Sequence, residues 1–531
     1  MRIQPRTPSS PASRPEHLDV VIVGAGLSGI GAACHLRKQC PNRTYAVLEG
    51  RHAIGGTWDL FRYPGIRSDS DMHTLGYGFR PWTSEKSIAD GPSILEYLKA
   101  TAREHGVEKH IRLGHRLKRA SWSSADAKWT LEIELDGGER MTLSCNFLHM
   151  CSGYYRYDRG HRPEFPGSTR FRGRIVHPQE WREDVVYENQ RVVVIGSGAT
   201  AVSLVPELAK TAAHVTMLQR SPTYMVAVPE RDRAAAWLRE RLPQRLANRL
   251  VRWKNVIIGM LVFQLSKRRP RHMKRWLLQH VRQQLGAAYD VATHFKPRYN
   301  PWDQRMCLVR NGDLFEAIRK GVVSVVTDHV ETFTDHGIRL RSGAEIEADL
   351  IVTATGLELL VLGGVEFIVD GRIVDLARTV TYKGMMFSDV PNLASSTGYT
   401  NASWTLKCDL TSAYVCRLLK HMEKHELAMC TPRFDDPSVE TVTTMPLTSG
   451  YIQRSMHLLP KQGSKRPWRL YQNYALDLVA LGAGPVQDGV MEFRAAAKRS
   501  AESVEPVSRL AVRRSRTPAV ESGSHQYAPR T

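Results

Sequence analysis

The sequence predicts an α/β chain of two doubly wound, parallel-sheet units with a helical insertion, and three observations carry that prediction. Residues 18–23 (LDVVIV) form a near-continuous β-branched run that leads at once into a glycine-rich turn, GAGLSG, and a helical pattern over 30–38. The same order recurs at 191–195, where RVVVI runs into GSGATA and a helical stretch over 202–210. Between the later strands of the second unit, residues 226–299 turn helical and strongly basic. A run apolar on both faces suits a parallel strand covered by helices, and a helical period directly after it suits the crossover to the next parallel strand.

The 531 residues are 42% hydrophobic and 24% charged, a composition that excludes a disordered or fibrous chain. At roughly 150 residues per domain the length allows about three domains. The most apolar run, 256–263, is flanked by charge and falls short of the ~18–20 residues of a spanning helix. The N-terminus lacks an apolar signal core, so a cytoplasmic chain is expected. Eight scattered cysteines form no CxxC pair, which predicts reduced, buried thiols and no metal site.

Lys and Arg total 74 against 53 Asp and Glu, a net +21. Residues 230–290 carry 15 Lys or Arg against 4 Asp or Glu, with Trp237, Trp253 and Trp276 interleaved. Two readings of this insertion stand equal: amphipathic helices on the inner, anionic face of the cell membrane, or a solvated face over a buried stripe. No helix-turn-helix, zinc or RNA-recognition pattern is present, so nucleic acid is not an expected partner.

In Gly24-Ala25-Gly26-Leu27-Ser28-Gly29 the first glycine permits a tight turn, the second lets backbone approach a pyrophosphate and the third lets helix pack on strand. Glu49 ends the second strand, where a carboxylate accepts hydrogen bonds from ribose hydroxyls. The second fingerprint, Gly196-Ser197-Gly198-Ala199-Thr200-Ala201, is followed by a strand ending in Gln219-Arg220 rather than an acid. An arginine there pairs with a 2′-phosphate. One acid-ended and one arginine-ended Rossmann-like unit imply two different dinucleotides, and FAD with NADPH makes chemical sense because hydride passes from nicotinamide to flavin. A disulfide reductase would need a redox cysteine pair; without one, O2 is the leading electron acceptor.

Two further motifs carry a resemblance. FRGRIVHPQEW (171–181) fits FxGxxxHxxxW, with Arg182 after it, and Gly55-Gly56-Thr57-Trp58, Tyr63-Pro64-Gly65 and Asp69 fit [AG]GxWxxxx[FY]P[GM]xxxD. Both resemble signatures of the flavin-dependent Baeyer–Villiger monooxygenases, over about residues 17–480. The resemblance implies an FAD-binding domain (17–155 and 370–490) and an NADPH-binding domain (156–225 and 300–369); charge sets apart the basic insertion (226–299), and Pro-, Ser- and Arg-rich composition predicts disordered ends (1–16 and 491–531). The resemblance also implies NADPH- and O2-dependent insertion of one oxygen atom into small apolar ketones, or oxidation of sulfides and thioamides at sulfur, through a flavin peroxide. An S- or N-oxygenase with little ketone activity, and a non-catalytic nucleotide-binding protein, are the alternatives; oligomerisation is left open.

By the same resemblance Ser28, Glu49, Thr57, Trp58, Asp59 and Leu60 hold FAD, with Asp69 at the flavin edge. Arg67 and Ser68 neighbour the nicotinamide, and Gly196 to Val202, Gln219 and Arg220 hold the rest of NADPH. Arg305, ending YNPWDQR (299–305), is the expected fixed cation, since a guanidinium keeps its charge when partly desolvated; Asp69 would orient it. His177 is expected to act in catalysis, by coupling domain movement to cofactor handling or directly as an acid or base. Trp181 is expected in hinge packing and Trp404 in the pocket wall.

Overall fold

The computed structural model describes residues 15–495. Nearly all of the expected N-terminal arm, and the tail beyond 495, lie outside them. Glu16–Val23 is the middle of a parallel core, between Tyr45–Leu48 and Arg140–Met150, with Ile111–Arg112 beyond Tyr45–Leu48. Val20, Val21 and Ile22 are fully withdrawn from water, each worth about 1.5–3 kcal/mol. Beyond Arg140–Met150 the sheet continues antiparallel through Lys128–Leu135 and His115–Ser123. Glu366–Val369 and Arg372–Ile373 then close that edge as a hairpin. The chain therefore rejoins the first sheet at 366, where the sequence reading put the boundary at 370.

The second sheet is all parallel, in the order Val323–Thr327, His214–Gln219, Arg191–Ile195, Leu350–Thr353, Arg174–Val176. Its apolar strands pack against Ala199–Leu208 and Asp313–Arg319, with Val192, Val194, Leu204 and Leu314 in one core. Met225–Val228 pairs with Cys307–Arg310, so the insertion leaves and returns at neighbouring strands. Within it, Pro270–Leu285 buries Met273, Leu277, Val281 and Leu285, one stripe at four-residue spacing, while Gln244–Arg268 buries only Ala247, Val251, Val256 and Ser266. No helix among the described residues is long and apolar enough to cross a membrane.

Met491–Ala495, expected at the start of the disordered tail, is a strand antiparallel to Leu427–Pro432. Met491 is buried there and Phe493 packs on the core of the first unit. All eight cysteines are buried and unpaired.

Candidate active site

The glycines set the first boundary of the site. A Cβ on Gly29 would lie 1.7 Å from the Gly24 carbonyl oxygen, so only glycine lets helix Leu27–Gln39 start this close to the strand it follows. That helix and Ala199–Leu208 begin at Gly26 and Gly198 with no side-chain cap and no acid in the first turn. The helices opening at Met72, Gly91, Arg233 and Val291 are instead capped by Asp71, Asp90, Asp232 and Asp290. An aspartate cap uses the free N–H groups and repels phosphate; the two glycine starts leave N–H groups and the positive dipole end available to an anion.

Both starts open on one cavity of about 680 Å³, running from Gly24, Gly26 and Ser28 past Thr57 and Trp58 to Ala199, Thr200 and Arg305. Glu49 lies on its wall, its carboxylate accepting from the Ala25 and Arg51 N–H groups at 2.8 and 3.0 Å. Burial pushes its pKa up, and those two N–H groups oppose the rise. Ser28 accepts the Trp404 Nε1–H at 2.8 Å, and Trp404, itself in the wall, stacks on Tyr154. Ser152 Oγ, Trp302 Nε1 and Asn401 Oδ1 are buried along the cavity without a protein hydrogen-bond partner. Buried polar groups are rarely left so, and a polar ligand such as a dinucleotide fits them.

At the far wall Arg305 Nη1 donates to Asp69 Oδ2 at 2.7 Å and Nη2 to the Tyr399 carbonyl at 3.4 Å. Burial opposes the Arg305 charge, but Asp69 together with Tyr154, Tyr155 and Tyr451 more than offsets it, so the guanidinium stays charged well above its usual range. The loop carrying Asp69 is pinned by sequence. Gly65 has φ +78°, and a Cβ there would meet the Ser203 carbonyl at 2.4 Å. Tyr63 and Ser203 hydroxyls bond at 3.3 Å. Pro206 has no N–H for the Val202 carbonyl four residues before it, and Arg67 Nη2 donates to that carbonyl at 3.2 Å while the same guanidinium pairs with Asp313. The pattern YPGxxxD thus binds the first unit to the second fingerprint helix.

Not every expected residue reaches the cavity. Ser68 lines it, with its backbone paired to Ala89. Asp59 turns away, held by Arg51 and Arg62 at 2.6 and 3.2 Å, and Leu60 packs on the core of the second unit. Ala201 and Val202 face that core too, whereas Gly198 has open space above it and Ser197 donates to the Ser221 carbonyl. Gln219 is buried and donates to the His294 carbonyl and Thr327 at 2.7 and 2.9 Å; its neighbour Arg220 is exposed, because adjacent strand residues point to opposite faces. Sequence reasoning missed Tyr154, Tyr155 and Asn401 in the wall and Asp313 behind Arg67. The two tyrosines directly follow strand Arg140–Met150 and its CSG turn, and the rule that ligands bind beyond the carboxyl ends of parallel strands marks that position.

His177, expected among the catalytic residues, does not line the cavity. Its Nδ1 accepts the Gln179 N–H at 3.2 Å, so its Nε2–H donates to the Gly356 carbonyl at 3.1 Å, and burial lowers its pKa. Both nitrogens are committed to backbone, and Trp181 packs on the core of the second unit. Burial also lowers His73 and His149 to about 4. In an unfolded chain these histidines take up protons near pH 6.5, but folded they stay neutral. Stability is therefore full above about pH 6.5 and falls as pH drops toward 4, His73 and His149 each contributing on the order of 3 kcal/mol. Thermal unfolding across that range reads the slope, and His149→Asn should flatten it.

Comparisons with known proteins agree with this geometry. Residues 87–362 match the flavin-binding monooxygenase-like family model and 22–85 an NAD(P)-binding Rossmann-like domain. The chain is 54% identical to the FAD-containing monooxygenase EthA of Mycobacterium tuberculosis over 487 residues, 92% of this chain and 99% of that one. It is 51% identical to EthA of Mycolicibacterium smegmatis, over 90% of this chain and 97% of that one. In fold it resembles a steroid monooxygenase bound to NADP (TM-score 0.70, 20% identity, 90% of this chain and 100% of that). An open cyclohexanone monooxygenase is similar in fold at TM-score 0.69 and 19% identity, with the same coverage. With two glycine-started helices on one cavity and half its residues shared with EthA, the chain belongs to the flavin-binding monooxygenase family, whose members alongside it are FAD-containing enzymes.

Proposed function

We propose that this enzyme uses NADPH and O2 to insert one oxygen atom into small apolar ketones, giving esters, and to oxidise sulfides or thioamides at sulfur. The observation that carries the reading is the Asp69–Arg305 pair on the wall of the cavity that also meets both fingerprints. Bound FAD supplies the carrier that accepts hydride and activates oxygen. Gly26 and Ser28 would take its pyrophosphate at the helix start and Glu49 its ribose hydroxyls. Arg305 holds a fixed positive charge where negative charge develops on oxygen. Tyr154, Trp302 and Trp404 narrow the cavity with aromatic surface, which excludes water from the reacting face.

Arg220 would select NADPH by its 2′-phosphate. Among the described residues it has no carboxylate partner, and its charge reaches a second guanidinium: burial and then the like charge of Arg220 lower the pKa of Arg454, against the pull of Glu358. Arg220→Ala is expected to raise the NADPH Michaelis constant roughly 10- to 100-fold while leaving that for NADH unchanged; steady-state kinetics with both nucleotides checks it.

Incubating the FAD-loaded enzyme with NADPH in air, with a linear ketone or a thioether, tests the activity. Ester formed mole for mole with NADPH consumed supports oxygen insertion at carbon. S-oxide without any ester would confine the enzyme to sulfur oxidation. NADPH consumption with neither product would sink the reading.

A further inference from the structure

Helix Gln244–Arg268 has two unlike faces. The inner one is packed: Val256 and Met260 join Tyr399 and Leu406 in a small core, Arg252 donates to the His73 and Gly76 carbonyls, and Phe263 meets Trp302 edge-on at 5.5 Å. The outer one carries Leu246, Leu250, Trp253, Ile257, Ile258, Leu261 and Leu265, each between 38% and 64% exposed. At 100° per residue these seven fall within one arc of about 140°, over a length of about 28 Å. A soluble monomer seldom leaves so continuous an apolar strip in water.

Charge decides what covers it. From 241 to 285 the chain has no Asp or Glu and 12 Lys or Arg. The carboxylates that the insertion's cations reach are Glu85, Glu240, Asp232, Asp303 and Asp409, taken by Arg231, Arg241, Lys254, Lys267 and Arg252. Among the described residues Arg245, Arg249, Arg268, Arg269, Arg271 and Arg275 have no acidic partner. Arg245 and Arg249 run along one edge of the apolar arc and Arg268 stands at its end, with exposed Trp276 on the next helix. A second copy of the chain, related by a twofold axis, would bring this acid-free basic face against itself. A bilayer with anionic headgroups offers the complement to both features, hydrocarbon for the arc and negative charge for its rim.

We propose that Gln244–Arg268 is a membrane-docking helix that lies in the headgroup layer of an anionic bilayer, apolar arc inward. Its opposite face touches Trp302 and Tyr399, the wall of the cavity and the carbonyl that holds Arg305, so docking sets the site beside a reservoir of apolar molecules. The docking does not depend on which substrate is oxidised.

Flotation of the full-length, FAD-loaded protein with vesicles tests it. Vesicles of phosphatidylcholine with phosphatidylglycerol should retain the protein at least about tenfold better than phosphatidylcholine alone, and added salt should weaken the difference. The double variant Ile258→Ser/Leu261→Ser should lose at least about tenfold in retention, with flavin content and NADPH oxidation unchanged, while Ile258→Leu/Leu261→Ile keeps it. No retention by the anionic vesicles, or equal retention of the serine variant, overturns the proposal. So does a dimer in light scattering that the serine variant turns into a monomer while neither binds vesicles, for then a second copy covers the face.

Discussion

With Arg305 replaced by alanine, the enzyme is expected to bind FAD and to oxidise NADPH while its yield of oxygenated product falls roughly 100- to 1,000-fold, the usual loss when a preorganised group facing developing charge is removed. Asp69 and the Tyr399 carbonyl hold the guanidinium from two sides, so its direction is set before substrate arrives. Arg305→Lys keeps a charge but not the fork, and one ammonium cannot serve both acceptors in the same geometry; its loss should be intermediate. Asp69→Asn leaves the cation but weakens a charged hydrogen bond, with an expected cost of about tenfold. Product formed per NADPH consumed, with oxygen uptake followed in parallel, reads all three. Full product yield from Arg305→Ala would remove it from the reaction.

The second large effect separates the third glycine of the first fingerprint, Gly29, from the second glycine of the other, Gly198. Gly29→Ala puts a methyl group 1.7 Å from the Gly24 carbonyl, a backbone overlap that no rotamer relieves. Helix Leu27–Gln39 must move off its strand, at a cost at or beyond the usual 1–3 kcal/mol of overpacking. FAD affinity should fall at least about 100-fold, since the N–H groups proposed to take its pyrophosphate move with the helix. Gly198→Ala meets nothing within 4 Å, so folding and flavin content should be unchanged and the effect confined to NADPH. Flavin absorbance after purification and a fluorescence titration of FAD distinguish the two. Equal flavin content in both variants would remove the first fingerprint from FAD binding.

The two fingerprints were legible because strand, glycine-rich turn and helix follow one another within a short stretch of sequence, although the carbonyls that Gly24 and Gly196 must clear, those of Cys151 and Ala354, are distant in the chain. Glu49 was legible at the end of the second strand and Asp69 in a motif of fixed spacing, whereas Arg305 was marked only by the resemblance of YNPWDQR to the family. Asp59 was not legible: it lies two residues beyond Thr57 in a four-residue helix, and the turn carries it to the far side, toward Arg51. Gln219 illustrates the limit of reading a strand end as one unit, for the two-residue pleat sends it inward and Arg220 outward. Asp313 could not be matched to Arg67 from 246 positions away, nor could the packed side of Gln244–Arg268 be told from its bare side, because both depend on which distant surfaces meet. His177 was marked by its motif, but its two backbone partners, Gln179 close by and Gly356 far along the chain, could not be read from that motif.

Arg67 grips a carboxylate on Asp313–Arg319 and a carbonyl on Ala199–Leu208, the latter free only because Pro206 cannot use it. A guanidinium that holds two elements of the second unit from a loop of the first behaves as a ball joint. It resists separation, which would strand a buried charge, yet it tolerates swivel, which keeps both acceptors within reach. Relative movement of the two halves during turnover should accordingly be rotation about Arg67, with the largest displacements farthest from it and almost none at the Asp69–Arg305 pair.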